Sequence, residues 1–164
     1  MFRIIAIVAM AAAAPSASSP DEVAHWQVSS TPPHPLEAYI RNTAGEEFGL
    51  VCTDTCKYMI SIALPCREGV EIPAIINSEA DAPAIGLTCS HSGAYSTLDL
   101  SDTDIEKLLV GSNIAFALPT ASEPIHVLRF SLAGARDAIA SVQAQWKQAR
   151  AGEGTSDTGR TVAP

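Results

Sequence analysis

Phe48-Gly-Leu-Val-Cys52-Thr-Asp-Thr-Cys56-Lys-Tyr-Met-Ile-Ser-Ile-Ala-Leu64 decides how this chain folds. In its second part, Tyr58, Ile60, Ile62 and Leu64 fall on one face of an extended backbone and Lys57, Met59, Ser61 and Ala63 on the other. Alternation with a period of two and one markedly apolar face describes a half-buried strand, not a helix. The three polar residues Thr53, Asp54 and Thr55 separate this strand from Phe48–Cys52 and suit a tight hairpin loop. The stretch therefore specifies antiparallel sheet.

Working outward, Pro65 closes the strand, and Val70–Asn77, Pro83–Cys89 and Ala94–Leu100 read as three more. Upstream, Leu36–Arg41 places Leu36, Ala38 and Ile40 on one face, and a turn around Gly45 leads into Phe48. His25–Val28 is a short strand-like piece in which Trp26 is the first core aromatic, and Thr31-Pro-Pro-His-Pro35 interrupts regular structure. After Leu100 the pattern changes: Ser101–Asp104 and Thr103–Glu106 fit capping-box spacing, and Ile105, Leu108 and Leu109 form a short helical stripe ended by Gly111. Asp102, Asp104 and Glu106 are accordingly cap and dipole partners rather than metal ligands. Asn113–Leu118 and Ile125–Leu132 form a strand pair, with His126, Leu128, Phe130 and Leu132 on one face. His126 among such neighbours reads as a satisfied sheet-face histidine. Gly134 turns the chain into a terminal helix in which Ala135, Ala138, Ile139, Val142 and Trp146 recur at helical spacing.

The amino terminus reads as a leader. Arg3 precedes an apolar run from Ile4 to Ala14, followed by small and polar residues, which is the layout of a secretory signal peptide over 1–17. The run is shorter than the roughly 20 residues a membrane-spanning helix needs, so the protein is not membrane-spanning after signal removal. A single β-rich domain occupies 18–149, and the Gly-, Ser- and Thr-rich residues 150–164 form a disordered tail. The formal charge of −8 becomes −9 once Arg3 leaves with the leader. With that balance and no basic run, nucleic acid and anionic membranes are excluded as partners.

Four cysteines in an exported chain, Cys52, Cys56, Cys66 and Cys89, make two disulfides with three possible pairings. The hairpin brings Cys52 to Cys56, which favours that bridge together with Cys66–Cys89. Loop closure contributes about 2 kcal/mol for the small ring and about 3.4 kcal/mol for the larger. Zinc is disfavoured because the spacings match no familiar site and export favours oxidation. A redox pair is disfavoured because Cys-x3-Cys is not a redox spacing.

No Gly-x-Ser-x-Gly elbow, His-Glu-x-x-His or phosphate-cradling glycine loop is present. His91 and Ser92 are neighbours on a strand, so the histidine is badly placed as the serine's base. Glu79 and Asp81 sit in an exposed turn. No catalytic, cofactor or metal site is assigned.

Trp26, Phe48-Gly-Leu-Val-Cys52 and Phe130-Ser-Leu-Ala-Gly-Ala-Arg-Asp-Ala-Ile139 resemble the small bacterial exported β-sandwich proteins that include the invasion-associated locus B family and type VI secretion accessory proteins. The cysteine that often closes the carboxy-terminal helix in that group has no counterpart after Cys89. The resemblance implies a periplasmic, non-enzymatic protein. The expectation is thus a mainly β protein: an antiparallel β-sandwich, stapled by disulfides, with one short helix and a C-terminal helix. It is periplasmic or secreted, and its role is protein or envelope binding. The alternative is a small periplasmic hydrolase with a loop-built active site.

Overall fold

The computed structural model describes residues 25–30, 35–92, 95–100, 105–119 and 125–153, the side chains of His91, Ser92, Tyr95 and Glu153 excepted. Nine strands, β1 (Gln27–Ser29), β2 (Leu36–Arg41), β3 (Glu47–Cys52), β4 (Cys56–Ile62), β5 (Glu71–Ser78), β6 (Ala84–Ser92), β7 (Tyr95–Leu100), β8 (Asn113–Leu118) and β9 (His126–Ser131), accompany two helices, α1 (Ile105–Leu108) and α2 (Ala135–Glu153). The leader, the capping box at 101–104 and residues 154–164 lie outside the described residues.

The mainly β class, the antiparallel pairing, the short helix and the C-terminal helix are as the sequence reads. The expected pair of stacked sheets is replaced by one sheet in the order β1-β2-β3-β4-β7-β6-β5-β8-β9. The reason lies in the connections: β5, β6 and β7 form a meander that returns β7 onto β4, and β8 then adds to the free side of β5. Hydrogen bonding consequently runs unbroken between the two ends.

Register follows the apolar alternation, because slipping a strand by one residue would turn its buried set outward. One inner row runs Ile40, Phe48, Ile60, Leu98, Cys89, and the next Ala38, Leu50, Tyr58, Leu100, Leu87, Ile72. The sheet curls so that its two halves share this interior. Phe48 of β3 lies 5.2 Å from Phe116 of β8 and 5.6 Å from Phe130 of β9, between ring centroids. Trp26 meets Phe48 edge-on at 6.0 Å, and its indole Nε1 donates to the Ser131 carbonyl at 2.9 Å, joining the first strand to the last. At Gly49 a Cβ would run into the Ala38 carbonyl and Tyr39, so β2 and β3 approach there only because the side chain is absent.

Gly134, at φ +84°, makes the step from β9 into α2 that an L side chain resists. Ala135, Ala138, Ile139 and Val142 of α2 are buried in the common core, against β2 with β1 and β3 beside it. The helix runs to Glu153, past the domain boundary read at 149. Gln145 to Ala151 are good helix formers, and this segment is held: Trp146 Nε1 donates to the Thr53 carbonyl at 2.7 Å, and Arg150 donates to the Asp54 carbonyl at 2.8 Å.

Candidate functional site

All four cysteines are bridged, Cys52 to Cys56 and Cys66 to Cys89. Cys52 and Cys56 are the closing pair of the β3–β4 hairpin, with Cα atoms 4.0 Å apart. Cys66 sits on the crossover from β4 to β5 and Cys89 is buried in β6, 6.1 Å away between Cα atoms. Backbone bonds from Gly69 N to Cys89 O and from Cys89 N to Val70 O lay the crossover along β6 beside that bridge. The thiols are therefore spent on holding a hairpin and a crossover, and none is left as a nucleophile or metal ligand.

The other singled-out residues are dispersed. His91 and Ser92 pair with Ser96 and Tyr95 in the β6–β7 ladder. Glu79 is fully exposed but ties the β5–β6 turn to β8: the Ser112 amide and hydroxyl both donate to its Oε1 at 2.7 Å. The amide first, and then the hydroxyl, hold its carboxyl below the usual range. Asp81 accepts from the Ala82 amide at 2.8 Å within the same turn. These are turn-fixing bonds.

His126 has a partner that periodicity does not reveal. Its Nε2 lies 2.7 Å from Oε1 of Glu46, which the β2–β3 turn presents from the far end of the sheet. The turn holds the carboxylate in place, since Asn42 Nδ2 donates to Oε2 at 2.7 Å while Asn42 Oδ1 accepts from the Ala44 and Glu46 amides at 3.0 Å. A buried carboxylate needs such donors, and the pair joins β9 to the β2–β3 hairpin.

A cleft of about 570 Å³ opens where the β4–β7 ladder ends, under α1 and α2. Lys57, Tyr58, Thr88, Asp99, Glu106 and Gln143 contribute its polar groups. Burial, and then the charge of Glu106, raise the Tyr58 phenol above its ordinary value, so it stays neutral as a hydrogen-bond donor. Its hydroxyl is 3.5 Å from Glu106 Oε1, to which Gln143 donates at 3.1 Å. Tyr58 and Gln143 thus both turn to Glu106, and Lys57 lies 4.0 Å from Asp99.

The outer surface of the sheet carries a different feature. Ala84 of β6, Ile75 of β5, Ala117 of β8 and Val127 of β9 stand side by side across four strands. Ile75 is 53% exposed and Val127 40%. Gly86 and Pro73 head the next row, which continues past the paired ends of β8 and β9 as Pro119 and Ile125, the latter 61% exposed. These positions carry no ionisable side chain of their own, but the exposed Glu71 of β5 lays its carboxylate across Gly86, so the uncharged surface is the first row with Pro73, Pro119 and Ile125. The outer positions of Ile125 and Val127 are legible in the alternation around His126. Their placement beside Ile75 depends on β8 pairing with β5, for which no local sequence signal exists.

No family model, curated protein or solved structure matches this chain.

Proposed function

We propose that this is an exported periplasmic or secreted protein with a non-enzymatic binding role, akin to the small exported group its sequence resembles. It engages a protein component of the cell envelope through the outer face of β6, β5, β8 and β9. The observation that carries the reading is the exposed row Ala84, Ile75, Ala117, Val127. The two disulfides and the leader-like amino terminus support export. Among the described residues no helix is long and apolar enough to cross a membrane. A contiguous apolar surface left exposed outside the core supports this reading, because such patches are commonly used for interaction.

A small hydrolase is the second reading, favoured by the His126–Glu46 pair, in which a carboxylate fixes an imidazole. One experiment separates the two. Mature protein is used to capture envelope proteins, and the same preparation is screened for esterase and glycosidase turnover. A protein held by the wild type and by Arg41→Ala, released by Ile75→Asp, and rebinding when purified, supports binding. Turnover abolished by His126→Gln overturns it.

A further inference from the structure

We propose that the cleft at the end of the β4–β7 ladder is a binding site for an aliphatic diamine, with its two ammonium groups on Asp99 and Glu106 and its methylenes on the apolar floor. None of the residues of the exposed apolar row lines this cleft, and the inference does not rest on the envelope-binding reading. How each carboxylate is held carries the argument. The Tyr58 hydroxyl, at 3.5 Å, and the Gln143 amide, at 3.1 Å, both go to Oε1 of Glu106, so that Oε2 takes no hydrogen bond among the described residues. Asp99 is divided in the same way. The Ser90 hydroxyl reaches its Oδ1 at 3.2 Å, whereas Oδ2 has only the Lys57 ammonium at 4.0 Å, too far for a hydrogen bond. Neutral donors thus position both carboxylates without cancelling their charge, which leaves one oxygen of each for a cation.

The surroundings select the kind of cation. At about 570 Å³ the cleft falls within the size range of small-molecule sites and far exceeds what one inorganic ion fills. Leu50, Leu100 and Ile105 are buried and line it, and such walls take methylenes out of water while offering nothing to a hydrated ion. Among the described residues no group of three or more His, Cys, Asp or Glu side chains is placed to hold a metal ion. An anion is opposed by the two carboxylates and by the net charge of −8, which draws cations towards the surface. Lys57 is the one cation among the described residues that line the cleft, and its side chain is 59% exposed, so an incoming ammonium displaces it from Asp99 at small cost. A free diamine and two neighbouring lysines of a protein present the same chemistry.

Isothermal titration of the oxidised mature protein with 1,5-diaminopentane at low ionic strength tests this, with circular dichroism confirming that each variant keeps its fold. The expected result is one saturable site with a Kd below about 1 mM, weakened by added salt. Glu106→Gln and Asp99→Asn keep the shape and remove the charge, and each weakens binding at least about fivefold. Lys57→Ala tightens it about twofold, because the competing ammonium is gone. Asp81→Asn, in an exposed turn outside the cleft, leaves it unchanged. Methylammonium binds at least about tenfold more weakly, lacking the second charge and the methylenes. A blocked dilysine that binds more tightly than the free diamine places the ammonium pair on a partner protein, and one that binds more weakly places it on a free amine; the site stands in both cases. Absence of saturable binding overturns the proposal. So does binding indifferent to Glu106→Gln and Asp99→Asn, binding weakened by Lys57→Ala, or displacement of the diamine by magnesium or methylammonium as effectively as by a second diamine at matched ionic strength.

Discussion

The outer surface of β2, β3, β4 and β7 and that of β6, β5, β8 and β9 belong to one sheet and cover one core, yet they are built differently. On the first, the row Arg41, Glu47, Ser61, Thr97, Ser90 is polar throughout. Arg41 pairs with Glu47, and Lys57 lies 4.0 Å from Asp99. On the second, the row Ala84, Ile75, Ala117, Val127 lacks an ionisable group, and the Glu71 carboxylate lies over Gly86 at its border. The inner rows show no such contrast, since Phe48 in one half and Phe116 in the other are both fully buried and touch. The fold therefore demands apolar residues inside both halves and says nothing about the outside. The more exposed apolar row lies on the second half, with Ile75 and Val127 open to solvent, whereas Tyr39, Val51 and Met59 on the first half are only partly exposed.

The sharpest way to break this comparison is to show that the halves are not equivalent inside. Phe48→Ala and Phe116→Ala should each cost about 3–5 kcal/mol in denaturant unfolding, and the double variant less than their sum, because the rings are neighbours. A near-silent Phe116→Ala would mean that the second half has no share in the core. Next in size, replacing Cys66 and Cys89 by serine should cost about 3.4 kcal/mol, against about 2 kcal/mol for Cys52 and Cys56. Both are read from urea midpoints under oxidising conditions.

Extremes of pH probe the two halves separately. In the first half, the folded protein holds Tyr58 protonated beyond its ordinary range. The stability this gives is whole below about pH 10 and falls as pH rises above it, where the unfolded chain ionises first. Tyr58→Phe should flatten the alkaline limb of the melting-temperature profile. In the second half, the folded-state value of Glu79 is depressed by Ser112. Its contribution is present above the ordinary carboxylate range and is lost as pH falls through the lowered value. Glu79→Gln should remove that acid sensitivity and leave the alkaline limb untouched. The smallest effect belongs to the exposed Arg41–Glu47 pair: Arg41→Ala should change stability by no more than about 1 kcal/mol and leave capture by the apolar face unaltered.

Much of the fold is legible in the residues one strand at a time. Tyr58, Ile60 and Ile62 announce their buried face by period alone, Thr53–Thr55 announces its hairpin, and Gly134 announces the turn into α2. The Cys52–Cys56 bridge follows from that hairpin, because closing a three-residue loop leaves its flanking residues side by side. The candidate site is legible only in part. Ile125 and Val127 show themselves as outward-facing, but Ile75, Ala84 and Ala117 come from strands about ten to fifty residues away. Glu46 is a similar case: a carboxylate in a polar turn looks solvated until β9 arrives with His126.

What the chain determines by itself is therefore local: which residues extend, which side of each strand avoids water, where turns fall and that Cys52 meets Cys56 across its hairpin. These depend on neighbours within a few residues, whose alternation and stereochemistry act before any long-range contact exists. The order of the strands belongs to the tertiary structure, and with it the single curled sheet, the Glu46–His126 pair and the joining of four short apolar segments into one face. Pairing β7 with β4 and β8 with β5 closes long loops, and its reward, one shared core around Phe48, exists only once all the strands are in place.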